Sequence, residues 1–237
     1  MNLVLLEPAD FTGNDGHMVR LSGRRLEHVV SVCRCDTGAT VKVGLLGGKT
    51  GTGTILRMDS TAMELSVALT EEPPPPLPLI LVIALPRPKS LKRSIEMATS
   101  LGVKRIVIIG SWRVEKSYWS SPVLSEESFR KHMRLGLEQA RDTLLPEISQ
   151  RKRFKPFVED ELPELVRDRL ALVAHPYNAK PCPFSIDRPA LLVIGPEGGF
   201  IPYEIDLLMK AGCEPVTLGQ RILRVETAIA AFTGRLW

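Results

Sequence analysis

Two short strands near the C-terminus, each ended by glycine, constrain the fold of this 237-residue chain more than any other feature. Residues 191–194 (LLVI) are branched and apolar, which predicts a strand buried on both faces, as in a parallel sheet. Residues 214–218 (EPVTL) predict a second strand, which Gly219 ends. Open α/β folds bind ligands at the carboxyl edge of such a sheet. Glycine counts alone fit ordinary turns between strand and helix equally well.

The loop after the first of these strands is suited to close approach by a ligand, because its glycines have no Cβ. These glycines are Gly195, Gly198 and Gly199. Pro202 then opens a predicted helix over residues 202–209, at a position that tolerates proline. After the second strand, a tight turn precedes an alanine-rich helix that starts at Glu226.

The middle of the chain alternates between strand and helix patterns, which predicts a parallel α/β sheet of about five strands. The further strands are predicted over residues 79–85, 103–109 and 170–174, and the helices over residues 90–101 and 128–142. His175 directly follows the strand of residues 170–174 and is interpreted as an ordinary loop residue. The alternative interpretation places it at the same edge of the sheet as the glycine loops.

Residues 1–72 have a different pattern and predict a small β-barrel. Its strands are expected over residues 2–6, 17–21, 40–45, 53–57 and 63–69, with one helix over residues 24–33. Residues 73–78 (PPPPLP) follow and favour an extended, semi-rigid linker. We therefore predict three parts, which are the barrel of residues 1–72, the linker of residues 73–78 and an α/β domain of residues 79–237.

Charge and composition favour some classes of protein and disfavour others. The formal net charge of +4 favours a polyanionic partner, and the basic excess lies after residue 72, where there are 24 Lys and Arg and 18 Asp and Glu. No apolar window is long enough for a membrane span, which favours a cytoplasmic location. Four cysteines without zinc-site spacing predict thiols and no metal site. The absence of the G-x-x-x-x-G-K-[ST] motif disfavours a nucleotide hydrolase.

The motifs IGPEGGF (residues 194–200) and LGQRILRVETA (residues 218–228) together resemble the SPOUT class of RNA methyltransferases. Within that class the resemblance is to the family that methylates N3 of a uridine in 16S ribosomal RNA. It implies an α/β fold whose parallel sheet carries a C-terminal trefoil knot, preceded by a PUA-like β-barrel that binds RNA. It also implies S-adenosylmethionine as cofactor, a homodimer, and 16S ribosomal RNA within the small subunit as substrate.

The resemblance predicts which residues hold the cofactor. They are Ile194, Gly195, Pro196, Glu197, Gly198, Gly199, Leu218, Gly219, Ile222, Leu223, Arg224 and Thr227. Main-chain amides at the glycines are expected to bond the adenosine, and Ile222 and Leu223 to flank its base. Catalytic roles are predicted for Arg224, which would stabilise charge on the uracil, and for Glu226. Structural roles are the favoured alternative for Glu197, as a loop acceptor, and for Glu226, as a helix cap.

RNA contacts are predicted in both domains. The resemblance implies His28 and Arg34 in the barrel, and the basic clusters of the α/β part are candidates because Lys and Arg neutralise phosphates without reading sequence. The predicted contacts are His28, Arg34, Arg87, Lys89, Arg93, Arg113, Arg134 and Arg141. An ordinary solvated surface is the alternative for each cluster taken alone. Two further functions stay open, which are methylation of a ribose 2′-hydroxyl and binding of RNA without catalysis.

Overall fold

A computed structural model describes residues 2–13, 16–33 and 35–237 of the chain. Contacts divide the chain into two compact units. The first unit comprises Met1–Pro75 and Arg134–Leu145, and the second comprises Pro76–Met133 and Pro146–Trp237. The predicted domain of residues 79–237 was continuous, whereas the structure assigns the segment Arg134–Leu145 to the first unit.

The first unit is built on a five-stranded mixed sheet. Its strands are β1 (Val4–Leu6), β2 (Met18–Leu21), β3 (Thr40–Leu45), β4 (Thr50–Met58) and β5 (Met63–Glu71). They lie in the order β1-β3-β4-β5-β2, in which β1 and β3 are parallel and the other pairs are antiparallel. The alternating apolar residues of these strands form the core, in which Leu6, Val43 and Leu65 are completely buried.

The predicted helix over residues 24–33 consists of two consecutive segments with different helical geometry. Helix α1 (Arg24–His28) has α geometry, and the chain continues as a π-helical turn over Val29–Cys33. A short 3₁₀ turn over Pro8–Asp10 precedes β2. Two guanidinium–carboxylate pairs fix this region of the unit. Arg25 bonds both Asp10 oxygens at 2.6 and 2.7 Å, and Arg24 bonds both Glu138 oxygens at 2.9 and 2.5 Å.

The segment Arg134–Leu145 belongs to the first unit because of its apolar and charged contacts there. Leu137 is completely buried and packs with Leu3 and Leu5. Glu138 is buried and receives the Arg24 guanidinium. Sequence patterns could predict the helix but not this assignment, because both contacts join residues more than 100 positions apart.

The second unit is an α/β unit whose seven strands are all parallel. They are β6 (Leu77–Ala84), β7 (Val103–Ile109), β8 (Glu147–Arg151), β9 (Leu170–Ala174), β10 (Lys180–Pro181), β11 (Ala190–Ile194) and β12 (Glu214–Thr217). The order is β10-β12-β9-β11-β6-β7-β8. The predicted parallel α/β sheet is confirmed, with seven strands instead of about five. Strand β6 begins at Leu77, so the last two residues of the predicted linker are part of the sheet.

Helices connect these strands and cover the sheet. They are α2 (Pro88–Ser100), α3 (Glu126–Ala140), α4 (Phe154–Pro156), α5 (Leu162–Val166), α6 (Pro202–Lys210) and α7 (Val225–Leu236), with 3₁₀ turns over Lys116–Ser120 and Pro122–Leu124 and a π-helical turn over Phe157–Glu161. Helices α2 and α6 both begin at a proline, which suits the first helical position because no intrahelical N–H bond is lost there. Helix α7 packs against α2 and β11.

No helix in the described part of the chain is long and apolar enough to cross a membrane. Within the same residues, no cluster of three or more His, Cys, Asp or Glu side chains has a metal-binding arrangement. Buried Cys182 and Cys213 are free thiols, and burial raises the pKa of Cys213 to about 12.

We predict that Gly110→Ala destabilises the protein by about 1–3 kcal/mol, because the new methyl group meets a backbone atom that cannot move aside. Gly110 directly follows β7, and a Cβ there would lie 2.0 Å from the Lys152 carbonyl oxygen. Urea unfolding measures the effect. Gly234→Ala is the control, since Gly234 lies in α7 with open space around it, and alanine there is expected to add up to about 1 kcal/mol of stability. Equal stability of the two variants would contradict the prediction.

Candidate cofactor-binding site

A cavity of about 720 Å³ lies in the second unit where the carboxyl ends of β9, β11 and β12 meet. Parallel strands place these ends at one edge of the sheet, so the loops that follow them converge. The wall residues come from the loops after β7 and β9, the glycine loop of residues 194–200, helix α6, strand β12 and the turn after it, and helix α7. They are Arg113, Ala174, His175, Pro176, Tyr177, Asn178, Ile194, Gly195, Pro196, Glu197, Gly198, Gly199, Phe200, Pro202, Ile205, Asp206, Met209, Pro215, Thr217, Leu218, Arg221, Ile222, Leu223, Val225, Ala228 and Phe232.

The glycine loop is held by its own backbone and by one carboxylate. Gly199 has φ = +69°, a left-handed conformation that suits glycine, and its N–H donates to the Pro196 carbonyl oxygen at 2.8 Å. Glu197 Oε1 accepts a hydrogen bond from the backbone N–H of Arg87 at 3.0 Å. Glu197 therefore ties the loop after β11 to the chain between β6 and α2, which is the structural role expected of a loop acceptor.

Arg113 connects the loop after β7 to the glycine loop. Its guanidinium donates a hydrogen bond to the Gly198 carbonyl oxygen. A Cβ at position 198 would lie 3.1 Å from the Arg113 Cδ atom, so the arginine packs directly against the glycine. Four further N–H donors remain on the guanidinium, and the side chain is part of the cavity wall.

Glu204 of α6 is a buried carboxylate that the sequence interpretation recognised only as an acid in the first turn of a helix. Its side chain is among the least exposed of the charged residues, at 3%. Oε2 accepts the Ile201 N–H at 3.0 Å, and Oε1 accepts the Trp112 N–H at 2.8 Å. Because both oxygens accept backbone hydrogen bonds, Glu204 fixes the start of α6 and the loop after β7 together.

The turn after β12 presents apolar side chains to the cavity. The Thr217 hydroxyl accepts the Gly219 N–H at 3.2 Å and donates to the Gly219 carbonyl oxygen at 2.9 Å. This arrangement closes the turn, with Gly219 at φ = +113°. Ile222 is 70% exposed although it is a large aliphatic residue. Exposed apolar surface on a concave wall is typical of a site that a ligand covers.

His175 lies on the cavity wall, which agrees with the alternative position at the sheet edge. Its backbone N–H donates to the Val216 carbonyl oxygen at 3.0 Å. Its ring meets that of Tyr177 edge-on, with 6.0 Å between centroids. Desolvation lowers the pKa of His175, so the imidazole is neutral at pH 7.

Most of the predicted cofactor residues lie on this wall. Those on it are Ile194, Gly195, Pro196, Glu197, Gly198, Gly199, Leu218, Ile222 and Leu223. Gly219, Arg224 and Thr227 are not among the wall residues. Gly219 closes its own turn, Arg224 is the exposed N-terminal cap of α7, and Thr227 is exposed on α7. The N–H groups of Gly199 and Gly219 already donate within the protein, to the Pro196 carbonyl oxygen and to the Thr217 hydroxyl.

Glu226, predicted as catalytic, binds helix α2 instead of lining the cavity. Ser90 Oγ donates to its Oε2 at 2.6 Å, and Arg93 Nη1 lies 3.7 Å from its Oε1. The Ser90 hydrogen bond is the main cause that lowers the pKa of Glu226, and Arg93 and Arg224 act in the same direction. A carboxylate with a lowered pKa is a poor general base at neutral pH. The structure therefore agrees with the structural alternative for Glu226.

The predicted RNA contacts are in different environments. Arg87, Lys89 and Arg93 are exposed at the start of α2, and Arg141 is exposed after α3. Arg134 is half-buried and pairs with Glu7 at 2.9 Å, and the Nε2 atom of His28 is buried. Arg134 is already paired with a carboxylate, and the His28 ring nitrogen is enclosed in the first unit, so neither is well placed to contact a phosphate. Arg34 lies outside the described residues.

Comparison with known proteins identifies the larger part of the chain. The sequence model of a family described as the RNA methyltransferase domain matches residues 73–237. Two bacterial relatives are named ribosomal RNA small subunit methyltransferase E. The protein from Treponema pallidum is 29% identical, with 98% of this chain and 88% of the relative covered. The protein from Borreliella burgdorferi, named with the suffix E 1, is 27% identical, with 98% and 95% covered.

Solved structures share the fold of the chain. A protein from Legionella pneumophila in complex with S-adenosylmethionine has a TM-score of 0.72 at 24% identity, with 98% of this chain and 95% of that chain covered. A ribosomal RNA small subunit methyltransferase E from Neisseria gonorrhoeae, bound to S-adenosylmethionine, has a TM-score of 0.70 at 21% identity, with the same shares covered.

We predict that Ser90→Ala lowers stability at pH 7 by about 1 kcal/mol, because Glu226 loses its hydrogen-bond donor. The pKa of Glu226 is below its ordinary value of 4.5 in the folded protein. Stabilisation by this pair is thus present above pH 4.5 and is lost as the pH falls through the lowered pKa. Urea unfolding at pH 7 and at about pH 3 should give a smaller difference from the wild type at the lower pH.

The matched control for this variant is Ser120→Ala, which removes an exposed serine of the same unit. It should change stability little at either pH. A loss in Ser90→Ala that does not depend on pH would show that the Ser90–Glu226 hydrogen bond is not its cause.

Proposed function

The chain belongs to the RNA methyltransferase domain family, and we propose that it methylates N3 of a uridine in 16S ribosomal RNA with S-adenosylmethionine as methyl donor. One observation carries the proposal. The glycine loop of residues 194–200 and the turn after β12, which are the two segments that resemble a uridine-N3 methyltransferase family, line the same cavity. The names of the bacterial relatives support ribosomal RNA of the small subunit as substrate.

The cavity fits the proposed cofactor in size and chemistry. Its volume of about 720 Å³ falls within the range of about 300–1,000 Å³ that is common for ligand pockets. The apolar part of the wall, with Leu218, Ile222 and Leu223, suits a flat purine ring. The polar part includes the loop after β11 and the carboxylate of Asp206, which suits hydroxyl and ammonium groups. We propose that these residues, with Ile194, Gly195, Pro196 and Gly198, hold the cofactor.

S-adenosylmethionine supplies an activated methyl group, so the protein has to orient the reactants and stabilise charge. Uracil N3 loses a proton before or during attack, which leaves negative charge on N3 and on the neighbouring carbonyl oxygens. A cation on the wall stabilises that charge. Arg113 and Arg221 line the cavity, whereas Arg224 does not. We therefore assign the electrostatic role first predicted for Arg224 to the two arginines of the wall.

The finer features of the fold are part of the same proposal. We propose that the second unit contains the trefoil knot of SPOUT enzymes, because loops after three different strands and the helix α7 contribute to one wall. We propose that residues 1–72 are a PUA-like RNA-binding barrel, supported by the five-stranded mixed sheet of the first unit. Residues 73–78 would connect it to the methyltransferase domain of residues 79–237. A homodimer and contact with the small ribosomal subunit complete the proposal.

Exposed cations at the start of α2 are the proposed phosphate contacts of the second unit. Arg87 caps the start of α2, Lys89 and Arg93 lie on the helix, and all three are exposed. The Arg87 N–H is also bonded to Glu197 of the glycine loop. RNA bound at the start of α2 would therefore be linked to the cofactor wall through this hydrogen bond.

Transfer of a labelled methyl group to 16S RNA tests the proposal. The purified protein is incubated with deproteinised 16S RNA or with assembled small subunits, and the nucleosides are analysed by mass spectrometry. We expect N3-methyluridine among the nucleosides. The RNA that receives more label, either the deproteinised RNA or the assembled subunit, is the true substrate. A methyl group on ribose would block alkaline cleavage at that nucleotide and would identify a 2′-O-methyltransferase. Binding of RNA without any transfer would identify a non-catalytic protein.

We predict that Gly198→Val lowers the affinity for S-adenosylmethionine at least about tenfold, because a branched side chain would replace an open backbone on the wall. The protein should stay folded, since the nearest atoms to the new Cβ belong to the flexible Arg113 side chain. Isothermal titration calorimetry measures the affinity, and circular dichroism checks the fold. Normal affinity in a folded Gly198→Val protein would count against this wall as the cofactor site.

Arg113→Ala separates two explanations of such a loss. It removes the Arg113 contact with Gly198 but adds nothing to the wall. If Arg113→Ala binds the cofactor normally while Gly198→Val does not, the valine blocks the site directly.

A further inference from the structure

Among the large apolar residues that the structure describes, Trp112 has the highest exposure, at 79%. A solvated indole offers a large, flat apolar face that a stacking partner can cover. Its backbone is nevertheless fixed, because its N–H donates at 2.8 Å to the buried carboxylate of Glu204. The next residue, Arg113, is anchored to the Gly198 carbonyl oxygen. The protein therefore presents this indole from a rigid position beside the cavity wall.

The chain that follows β8 runs alongside this loop. The Gly110 N–H donates to the Arg151 carbonyl oxygen at 2.8 Å. A Cβ on Gly110 would be 2.0 Å from the Lys152 carbonyl oxygen, so the two backbones are in direct contact. The Lys152 ammonium lies 5.9 Å from the centre of the Trp119 ring. Trp112 and Trp119, which follow β7, and the cations that follow β8 thus lie on the chain after the carboxyl ends of two neighbouring strands.

We refer to this group as the β7–β8 surface. It consists of Trp112, Arg113, Lys116, Trp119, Lys152 and Arg153. Arg151, one residue before Lys152, pairs with Glu161 at 2.7 Å. By contrast, across the residues that the structure describes, no carboxylate forms an ion pair with Lys116, Lys152 or Arg153. Their positive charge is therefore available to an external anion.

We infer that the β7–β8 surface binds single-stranded RNA and that Trp112 stacks on a nucleobase beside the target uridine. Aromatic side chains among unpaired cations are the arrangement that single-stranded nucleic acids bind, because bases stack and phosphates are neutralised. A duplex hides its base faces, so an indole gains little from it. Arg113 belongs both to this surface and to the cavity wall, which connects the stacked base to the reaction site.

This inference rests on the proposed function, and it assigns Trp112 a positioning role. Trp112 does not line the cavity, so the residue would hold the neighbouring nucleotide while the target uridine enters. Stacking does not depend on base identity. The surface would therefore contribute affinity and placement, whereas the choice of uridine would come from the cavity.

Binding of a fluorescently labelled oligouridylate of fixed length tests the inference in the full-length protein. Trp112→Ala should weaken binding about 5- to 150-fold, the range found when a stacked aromatic residue is removed. Trp112→Phe keeps an aromatic face and should bind within about threefold of the wild type. Phe184→Ala is the matched control. Phe184 is 68% exposed and follows β10, which is the outermost strand on the side of the sheet away from β7 and β8, and its loss should not change binding.

The dependence of affinity on salt separates stacking from charge. Lys116→Gln and Lys152→Gln should each reduce the slope of log affinity against log salt by about 0.7, the value for one single-strand phosphate. Trp112→Ala should lower the affinity and leave the slope unchanged. A protein with Trp119 and Trp237 replaced by Phe retains Trp112 as its tryptophan, and its fluorescence should fall when oligouridylate binds.

Three results would overturn the inference. They are wild-type affinity in Trp112→Ala, unchanged Trp112 fluorescence on saturation with oligouridylate, and equally tight binding of the duplex formed with oligoadenylate. Methylation of 16S RNA by the wild-type protein is measured separately. If methylation occurs and Trp112→Ala binds normally, only this inference fails. If no RNA is methylated although Trp112 controls oligouridylate binding, the proposed catalysis fails and the RNA surface stands.

Discussion

The parallel arrangement of the seven strands is the constraint on which the rest of the second unit depends. Strands buried on both faces have to be apolar along their whole length, as in β11, where every residue is buried. Functional groups are therefore confined to the loops. Because all seven strands run the same way, the loops after their carboxyl ends share one edge. The cavity and the β7–β8 surface both lie at that edge.

Backbone hydrogen bonds to side chains hold these loops in place. Glu197 receives the Arg87 N–H, Glu204 receives the N–H groups of Ile201 and Trp112, and Arg113 donates to the Gly198 carbonyl oxygen. Three of these four bonds join loops that follow different strands, and the fourth, from the Ile201 N–H to Glu204, closes the start of α6. The carboxylates of Glu197 and Glu204 thus fix geometry, which agrees with a reaction in which the cofactor supplies the reactive group and the protein supplies orientation.

The sequence predicted the elements with strong patterns and missed those whose reason lies in distant contacts. The strands over Thr40–Leu45, Val103–Ile109 and Leu170–Ala174 were predicted at their observed bounds, because each is rich in β-branched or apolar residues and lies between clear turn signals. Strand β8 (EISQR) is polar and lies at the edge of the sheet, so its pattern resembles a loop. The two residues of β10 are too few to give any pattern.

The same limit applies to the site. Glycine positions indicated which loops form the wall, since the need for an open backbone is a local property. The roles of Glu204 and Arg221 were missed, because one depends on a partner 92 residues away and the other on the shape of the assembled wall. For Glu226 the pattern allowed catalysis or structure, and the decisive partner, Ser90, is 136 residues distant.

The two hydrogen bonds that Glu204 accepts limit which residues can replace it. Both of its oxygens accept from amide hydrogens, one at the start of α6 and one at Trp112. Glutamine has nearly the same shape, but one of its two terminal groups is a donor and would face another donor across a buried contact. Replacement by the residue of most similar shape is therefore excluded at position 204, because one carboxylate fixes both the start of α6 and the loop that carries Trp112.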